Sequence, residues 1–190
     1  MSIKVFVINL DKRRDRLDDI SIPFNWQRFS AIPTTPGYIG CLKSHQTVLQ
    51  KALDLQLNEV LIFEDDVDLC ENFEMQFKEI MDKLPSNWDL LYLGGHNKGT
   101  IKEYTTGLNI AENVVCMHAY IVNGKFIKTA LEALHSKDNN QTKPNDYKCD
   151  VLLADYLSKG NCFICSPPLA WQKAGYSDIE RNVTDNVHLR

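Results

Sequence analysis

Three consecutive carboxylates, Glu64-Asp65-Asp66, directly follow the apolar run Val60-Leu61-Ile62-Phe63, and Asp68 stands two residues further on. Neighbouring carboxylates repel one another, and burying any of them is costly unless a positive charge or hydrogen bonds compensate. A hard divalent cation would compensate, because such ions take oxygen ligands. The competing reading is an acidic loop that solvates a strand end. The apolar run itself reads as a buried strand, and open α/β sheets bind their ligands in the crevice at the carboxyl ends of strands. Strand alternation predicts that Glu64 and Asp66 project together and that Asp65 opposes them.

Other residues with chemical potential are scattered along the chain. Asp11-Lys12-Arg13-Arg14-Asp15-Arg16 gathers four cations. They read either as a solvated helix face or as a site where Arg13 or Arg16 meets a phosphate near a strand end. His45 falls on the apolar face of a helix, where a histidine is either a satisfied core residue or a functional one. Asp150 precedes an apolar helical run and reads as its N-cap. The six cysteines are dispersed, and reduced thiols are expected. Cys162-Phe163-Ile164-Cys165 has two apolar residues between its thiols and reads as a strand; Cys149 could add a third thiolate, but a fourth zinc ligand is missing.

The elements that must position these residues alternate. A first strand covers 3–8 and ends near Asn9-Leu10, a helix is expected over 11–20, and a second strand over 26–31. Pro33-Thr34-Thr35-Pro36-Gly37 reads as a loop. Leu42, His45, Leu49, Ala52 and Leu53 recur at helical spacing and predict a helix over 41–55. After the acidic trio, Phe73, Phe77, Ile80, Met81 and Leu84 mark another helix, closed by Pro85. A strand at 89–93 leads into Gly94-Gly95-His96, a further piece of ligand rim. Residues 97–116 read as a hairpin or loop, 119–122 as a strand, and Phe126, Ile127, Ala130, Leu131 and Leu134 as a helix. A polar, mobile stretch at 136–144 and a short helix over 151–157 follow. The tail after Pro167-Pro168, with Trp171, Gln172, Ser177, Asp178 and His188, carries no strong signal.

Composition sets the outer bounds. With 190 residues, 44% hydrophobic and 24% charged, the chain has the make-up and length of one globular domain, taken here as 1–190. A net charge of -4 gives no basic footprint for a nucleic-acid backbone, so DNA and RNA are not expected partners. No segment reaches transmembrane length and no export signal is read, which predicts a cytoplasmic protein, free or peripheral to a membrane.

Taken in order, several pieces resemble glycosyltransferase family 25, which includes bacterial lipooligosaccharide galactosyltransferases and the collagen β-galactosyltransferases. They are Val7-Ile8-Asn9-Leu10-Asp11 with Arg13 and Arg16, Gly40-Cys41-Leu42-Lys43-Ser44-His45, Leu61 through Val67, Asp89 through Gly94, Ala119-Tyr120-Ile121-Val122 and Ser177-Asp178-Ile179. The resemblance implies a GT-A glycosyltransferase fold, an α/β architecture with a Rossmann-like mixed sheet flanked by helices. It also implies a UDP-sugar donor, Mn²⁺ or Mg²⁺ on the diphosphate, and a glycan, lipid-linked or protein hydroxyl as acceptor.

On that resemblance Asp66 contacts the metal, Glu64 is a second ligand or ribose partner, and Asp65 supports them. Asn9, Leu10 and Asp11 border the nucleoside, Arg13 or Arg16 contacts phosphate, and Ser44 and His45 sit at a neighbouring helix N-terminus. Inverting transfer, also implied, needs a base for the acceptor hydroxyl. Asp150 is the first candidate, Asp155 the second and Asp178 the third. His188 is a candidate for completing the metal shell. The expected activity is galactosyl or other hexosyl transfer. The alternative is an inactive nucleotide- or carbohydrate-binding protein of the same fold. A metal-dependent phosphohydrolase would need a nucleophile or second metal cluster that the sequence does not display.

Overall fold

The computed structural model describes residues 3–136, 148–157, 161–179 and 181–184. The chain begins β1 (Lys4–Asn9), α1 (Arg14–Asp18), β2 (Trp26–Ser30), α2 (Gly37–Asp54), β3 (Glu59–Glu64), β4 (Val67–Leu69), α3 (Phe73–Lys83) and β5 (Leu90–Tyr92). Four short strands, β6 (His96–Asn97), β7 (Glu103–Thr105), β8 (Leu108–Ile110) and β9 (Val114–Val115), precede β10 (Ala119–Asn123). Helices α4 (Ile127–His135) and α5 (Cys149–Leu157) follow, then β11 (Cys162–Cys165), β12 (Ala170–Gln172), β13 (Gly175–Ser177) and β14 (Asn182–Thr184).

Eight strands form one mixed sheet in the order β2-β1-β3-β10-β5-β11-β8-β7. β2, β1 and β3 run parallel, β10 runs antiparallel to both β3 and β5, and β11 is parallel to β5. The central strands read as unbroken apolar runs because both of their faces are covered. Phe6, Ile8, Val60, Ile62 and Tyr120 join the core under α2, α4 and α5. Their neighbours Val5, Val7, Leu61, Phe63 and Ile121 join the core under α3, with Phe73, Phe77 and Ile80. Period-two alternation thus serves two helical layers at once.

Several expected boundaries shift. The helix expected over 11–20 is only Arg14–Asp18. α2 begins at Gly37, four residues ahead of the expected start, because Pro36 occupies the N-cap position in an extended conformation. A proline there does not interrupt a helix, since the first-turn N–H groups have no intrahelical acceptors. α5 begins at Cys149, so Asp150 lies in its first turn and is not its N-cap. The C-x-x-C pair lies, as expected, in a fully buried strand, β11. The polar stretch expected at 136–144 lies outside the described residues from 137 onward.

Candidate active site

β1 and β3 run parallel with Ile8 opposite Glu64, so their carboxyl ends meet at one edge of the sheet. A cavity opens there between those ends, the early turns of α2 and the segment around Ser177-Asp178. β4 pairs with β12, which brings Gln172 opposite Val67 and sets its amide beside the acidic trio.

β3 ends at Glu64, and Asp65-Asp66 form a turn before β4. Strand alternation therefore stops where the expectation relied on it. Asp65 does not oppose its neighbours: all three carboxylates line the cavity. Asp65 is buried, accepting a hydrogen bond from Asn9 Nδ2 at 2.7 Å and pairing with Arg16. Asp66 Oδ2 pairs with Arg16 Nη1 at 3.1 Å. Its other oxygen, Oδ1, is buried and accepts no hydrogen bond among the described residues. Burial, reinforced by Glu64, pushes the Asp66 carboxyl up to about 7, against the pull of Arg16 and, more weakly, of the Gln172 amide. Burial also works against charge on Glu64, yet the His45 hydrogen bond wins and its pKa falls below the ordinary value.

His45 is 1% exposed and fully engaged, with Nε2 3.1 Å from Glu64 Oε1 and Nδ1 2.8 Å from the Tyr120 hydroxyl. Because α2 starts at Gly37, Ser44 and His45 lie well inside the helix rather than at its N-terminus. Ser44 Oγ donates to the Gly40 carbonyl at 2.6 Å and accepts from the Ile32 N–H at 2.9 Å, which fixes the loop bordering the cavity. That loop approaches so closely that a Cβ on Gly40 would stand 2.3 Å from the Ile32 carbonyl oxygen.

The remaining first-strand residues divide. Asn9 is buried and also accepts from Arg28 Nε at 2.9 Å, and Leu10 lies on the cavity wall. Asp11 is exposed, is held by Arg28 and Ser30, and is not among the wall residues. Arg16 reaches the cavity, whereas Arg13 is not among the wall residues and is bonded to Asp15 and Asp178. Lys12 and Gln172, given no site role in the sequence reading, are on the wall. Lys12 belongs to the conspicuous cation run, but Gln172 reaches the site only through the β4–β12 pairing, which has no local signal.

A second cavity shares Cys41, Glu64, Asp66 and Gln172 with the first and extends to Cys116, Lys148 and Asp150. The Asp150 carboxylate accepts from the Cys116 N–H at 3.0 Å and the Val151 N–H at 2.9 Å, so it is oriented as well as placed. Asp155 belongs to α5, but its side chain is outside what the structure describes, and His188 lies outside the described residues.

The family model described as glycosyltransferase family 25 (LPS biosynthesis protein) matches residues 22–140. The chain belongs to glycosyltransferase family 25. Among its family 25 relatives, procollagen galactosyltransferase 2 of Homo sapiens is 28% identical over 161 residues, covering 65% of this chain and 26% of the relative. Inactive glycosyltransferase 25 family member 3 of Homo sapiens is 33% identical over 90 residues, covering 44% of this chain and 15% of the relative. The matches thus span about a quarter or less of those relatives' length. A solved glycosyltransferase involved in the glycosylation of the major capsid of PBCV-1 superposes with a TM-score of 0.56 at 14% identity, covering 94% of this chain and 96% of that one. The fold is the GT-A glycosyltransferase fold, an α/β mixed sheet with flanking helices. Among the described residues no helix is long and apolar enough to cross a membrane.

Proposed function

We propose that residues 1–190 form one GT-A domain that transfers a hexose, with galactose favoured, from a UDP-sugar to a glycan, lipid-linked or protein hydroxyl, with inversion and with a divalent metal. The observation that carries this reading is the buried Asp66 Oδ1, which accepts no hydrogen bond among the described residues, beside Glu64 and Asp65 at the carboxyl end of β3. Three carboxylates stand here against one guanidinium, that of Arg16. An all-oxygen set with an orphaned acceptor and surplus negative charge fits Mn²⁺ or Mg²⁺. Asp66 and Glu64 would hold the ion, with His188 a further candidate ligand. Bound there, it would offset the charge that develops on the departing nucleoside diphosphate.

The protein groups do the rest. Asn9 and Arg16 hold Asp65 in place, and Leu10 offers an apolar wall to the nucleoside. Lys12 and Arg16 are the cations on the wall that could meet the diphosphate. Asp150 is the proposed base, since its carboxylate borders the cavity that continues from Glu64 and Asp66. It would take the proton of the acceptor hydroxyl as that oxygen attacks the anomeric carbon; Asp155 remains the second candidate.

A donor-hydrolysis screen over nucleotide sugars with Mn²⁺ tests the reading, because slow hydrolysis reveals the donor before an acceptor is known. Metal-dependent release of UDP from one sugar donor is expected. The similarity to inactive members of the family motivates a second reading, a protein that binds nucleotide or carbohydrate without turnover. Tight UDP binding with neither hydrolysis nor transfer across a donor and acceptor panel would select it.

A further inference from the structure

We propose that Cys41, His45 and Cys149 form a second metal site that takes a thiophilic tetrahedral ion of the Zn²⁺ class and keeps its fourth position open. Cys41 and His45 stand four residues apart on α2 and so share one helix face, while Cys149 opens α5 and reaches them from across the fold. One ligand atom from each lies within 4.8 Å of the other two.

The separation of the two sulfurs is that of a tetrahedral site. Two thiolates bonded at about 2.3 Å to one tetrahedral ion stand ~3.8 Å apart, and Cys41 Sγ is 3.7 Å from Cys149 Sγ. Three protein ligands and an open fourth position are a known zinc arrangement, and Glu64 Oε1 borders the site without belonging to the mutually close set. It lies 3.8 Å from Cys41 Sγ and 3.1 Å from His45 Nε2. The imidazole is already oriented, because Nδ1 is held by the Tyr120 hydroxyl at 2.8 Å, which leaves Nε2, now 3.1 Å from Glu64 Oε1, as the nitrogen to bind an ion. A partner on the far ring nitrogen is what ligating histidines use to fix tautomer and direction. An entry path exists as well, since Cys41 and Cys149 both line the second cavity, beside Cys116 and Lys148.

The C-x-x-C motif is thus not where this chain gathers its thiols. Cys149 meets a cysteine 108 positions away in sequence, on another element. Glu64 borders both the soft site and the oxygen-ligand site beside Asp66. The soft site does not depend on glycosyl transfer, and its test reads no activity.

The intact chain, kept reduced, is titrated with Cd²⁺ and separately with Co²⁺. One equivalent of Cd²⁺ should produce a thiolate-to-metal charge-transfer band in the ultraviolet, and Co²⁺ should give the intense visible bands of a tetrahedral centre. Mn²⁺ should give neither, because thiolate ligands select softer ions. Cys41→Ser and Cys149→Ser should each weaken binding more than about 100-fold, since even outer partners of a ligand are worth about 10–100-fold. Tyr120→Phe should fall within that smaller range, while Cys70→Ser should change nothing. The proposal is overturned if the folded wild-type chain shows no charge-transfer band, if Co²⁺ gives the weak spectrum of an octahedral site, or if the double variant Cys41→Ser, Cys149→Ser keeps the band. The wild-type titrations decide even if a variant fails to fold.

Discussion

Asp66 joins two properties that a merely solvating carboxylate does not have: one buried oxygen without a partner among the described residues, and a pKa driven up to about 7 by burial and by Glu64. The sign of the linkage follows. The folded state holds this proton more tightly than the unfolded chain, whose carboxyl titrates near 3.8. Stability from this group is therefore complete below that value and is lost as pH climbs to about 7. Asp66→Asn removes the charge at nearly constant volume. Its melting temperature should exceed wild type above about pH 7, by ~2–4 °C for each kcal/mol recovered, and should match it in acid. Metal-dependent UDP-sugar turnover should vanish in the same variant. Thermal denaturation across pH, with and without Mn²⁺, reads both effects, and a variant that keeps Mn²⁺-dependent turnover would contradict the ligand assignment. Asp150→Asn addresses the other end of the site. Donor affinity should survive while transfer falls by about 10²–10⁴-fold, the range for losing a general base. A loss of donor affinity instead would make Asp150 a sugar contact.

α2 shows how an element can serve the site against its own propensity. Alanine in a helix interior is favoured over glycine by about 1 kcal/mol, so propensity predicts that Gly40→Ala stabilises. The backbone around Ile32 forbids it, because the new Cβ would meet a carbonyl oxygen at 2.3 Å and the Thr34 hydroxyl at 2.9 Å. Overpacking of this kind costs about 1–3 kcal/mol. Gly40→Ala should therefore be destabilising in denaturant titrations, and it should weaken donor binding because the displaced loop borders the cavity. The elements that sequence disclosed well were those with long regular patterns. β1 and β3 are apolar runs, and α3 shows its aromatic and aliphatic stripe. The misplaced boundaries have local causes. Pro33 and Pro36 masked the start of α2, and Asp150 imitates a cap although its carboxylate serves a loop N–H at Cys116. The acidic trio was legible as a site, but the partners of its members were not. Arg16 is 49 positions from Asp65, and Gln172 is 108 from Glu64, joined by a three-residue strand without periodicity.

Across the whole molecule, the segment after β1 and the segment after β12 close on one another over the cavity. Asp178 binds Lys12 at 2.6 Å and Arg13 at 2.7 Å, and Arg16 donates to the Tyr176 carbonyl at 2.8 Å. The cations nearest the proposed diphosphate position are therefore the same ones that clasp the β13–β14 hairpin. Burial opposes charge on Asp178, but Lys12 and Arg13 hold its carboxyl below the ordinary 3.8. A depressed carboxylate lends stability that is whole above the unfolded value and disappears as pH falls through the lower folded one. Lys12 is 67% exposed, so much of the pair is screened, and Asp178→Asn should change global stability by no more than about 1 kcal/mol. Locally the effect should be larger. Amide hydrogen exchange at 175–179 should speed up in the variant at neutral pH while the β1 and β3 amides stay protected. In strong acid, wherever wild type still folds, the two proteins should exchange alike in that segment. Equal exchange at neutral pH would mean that the backbone pairing of β13 with β14, and not the Asp178 clasp, holds the hairpin over the site.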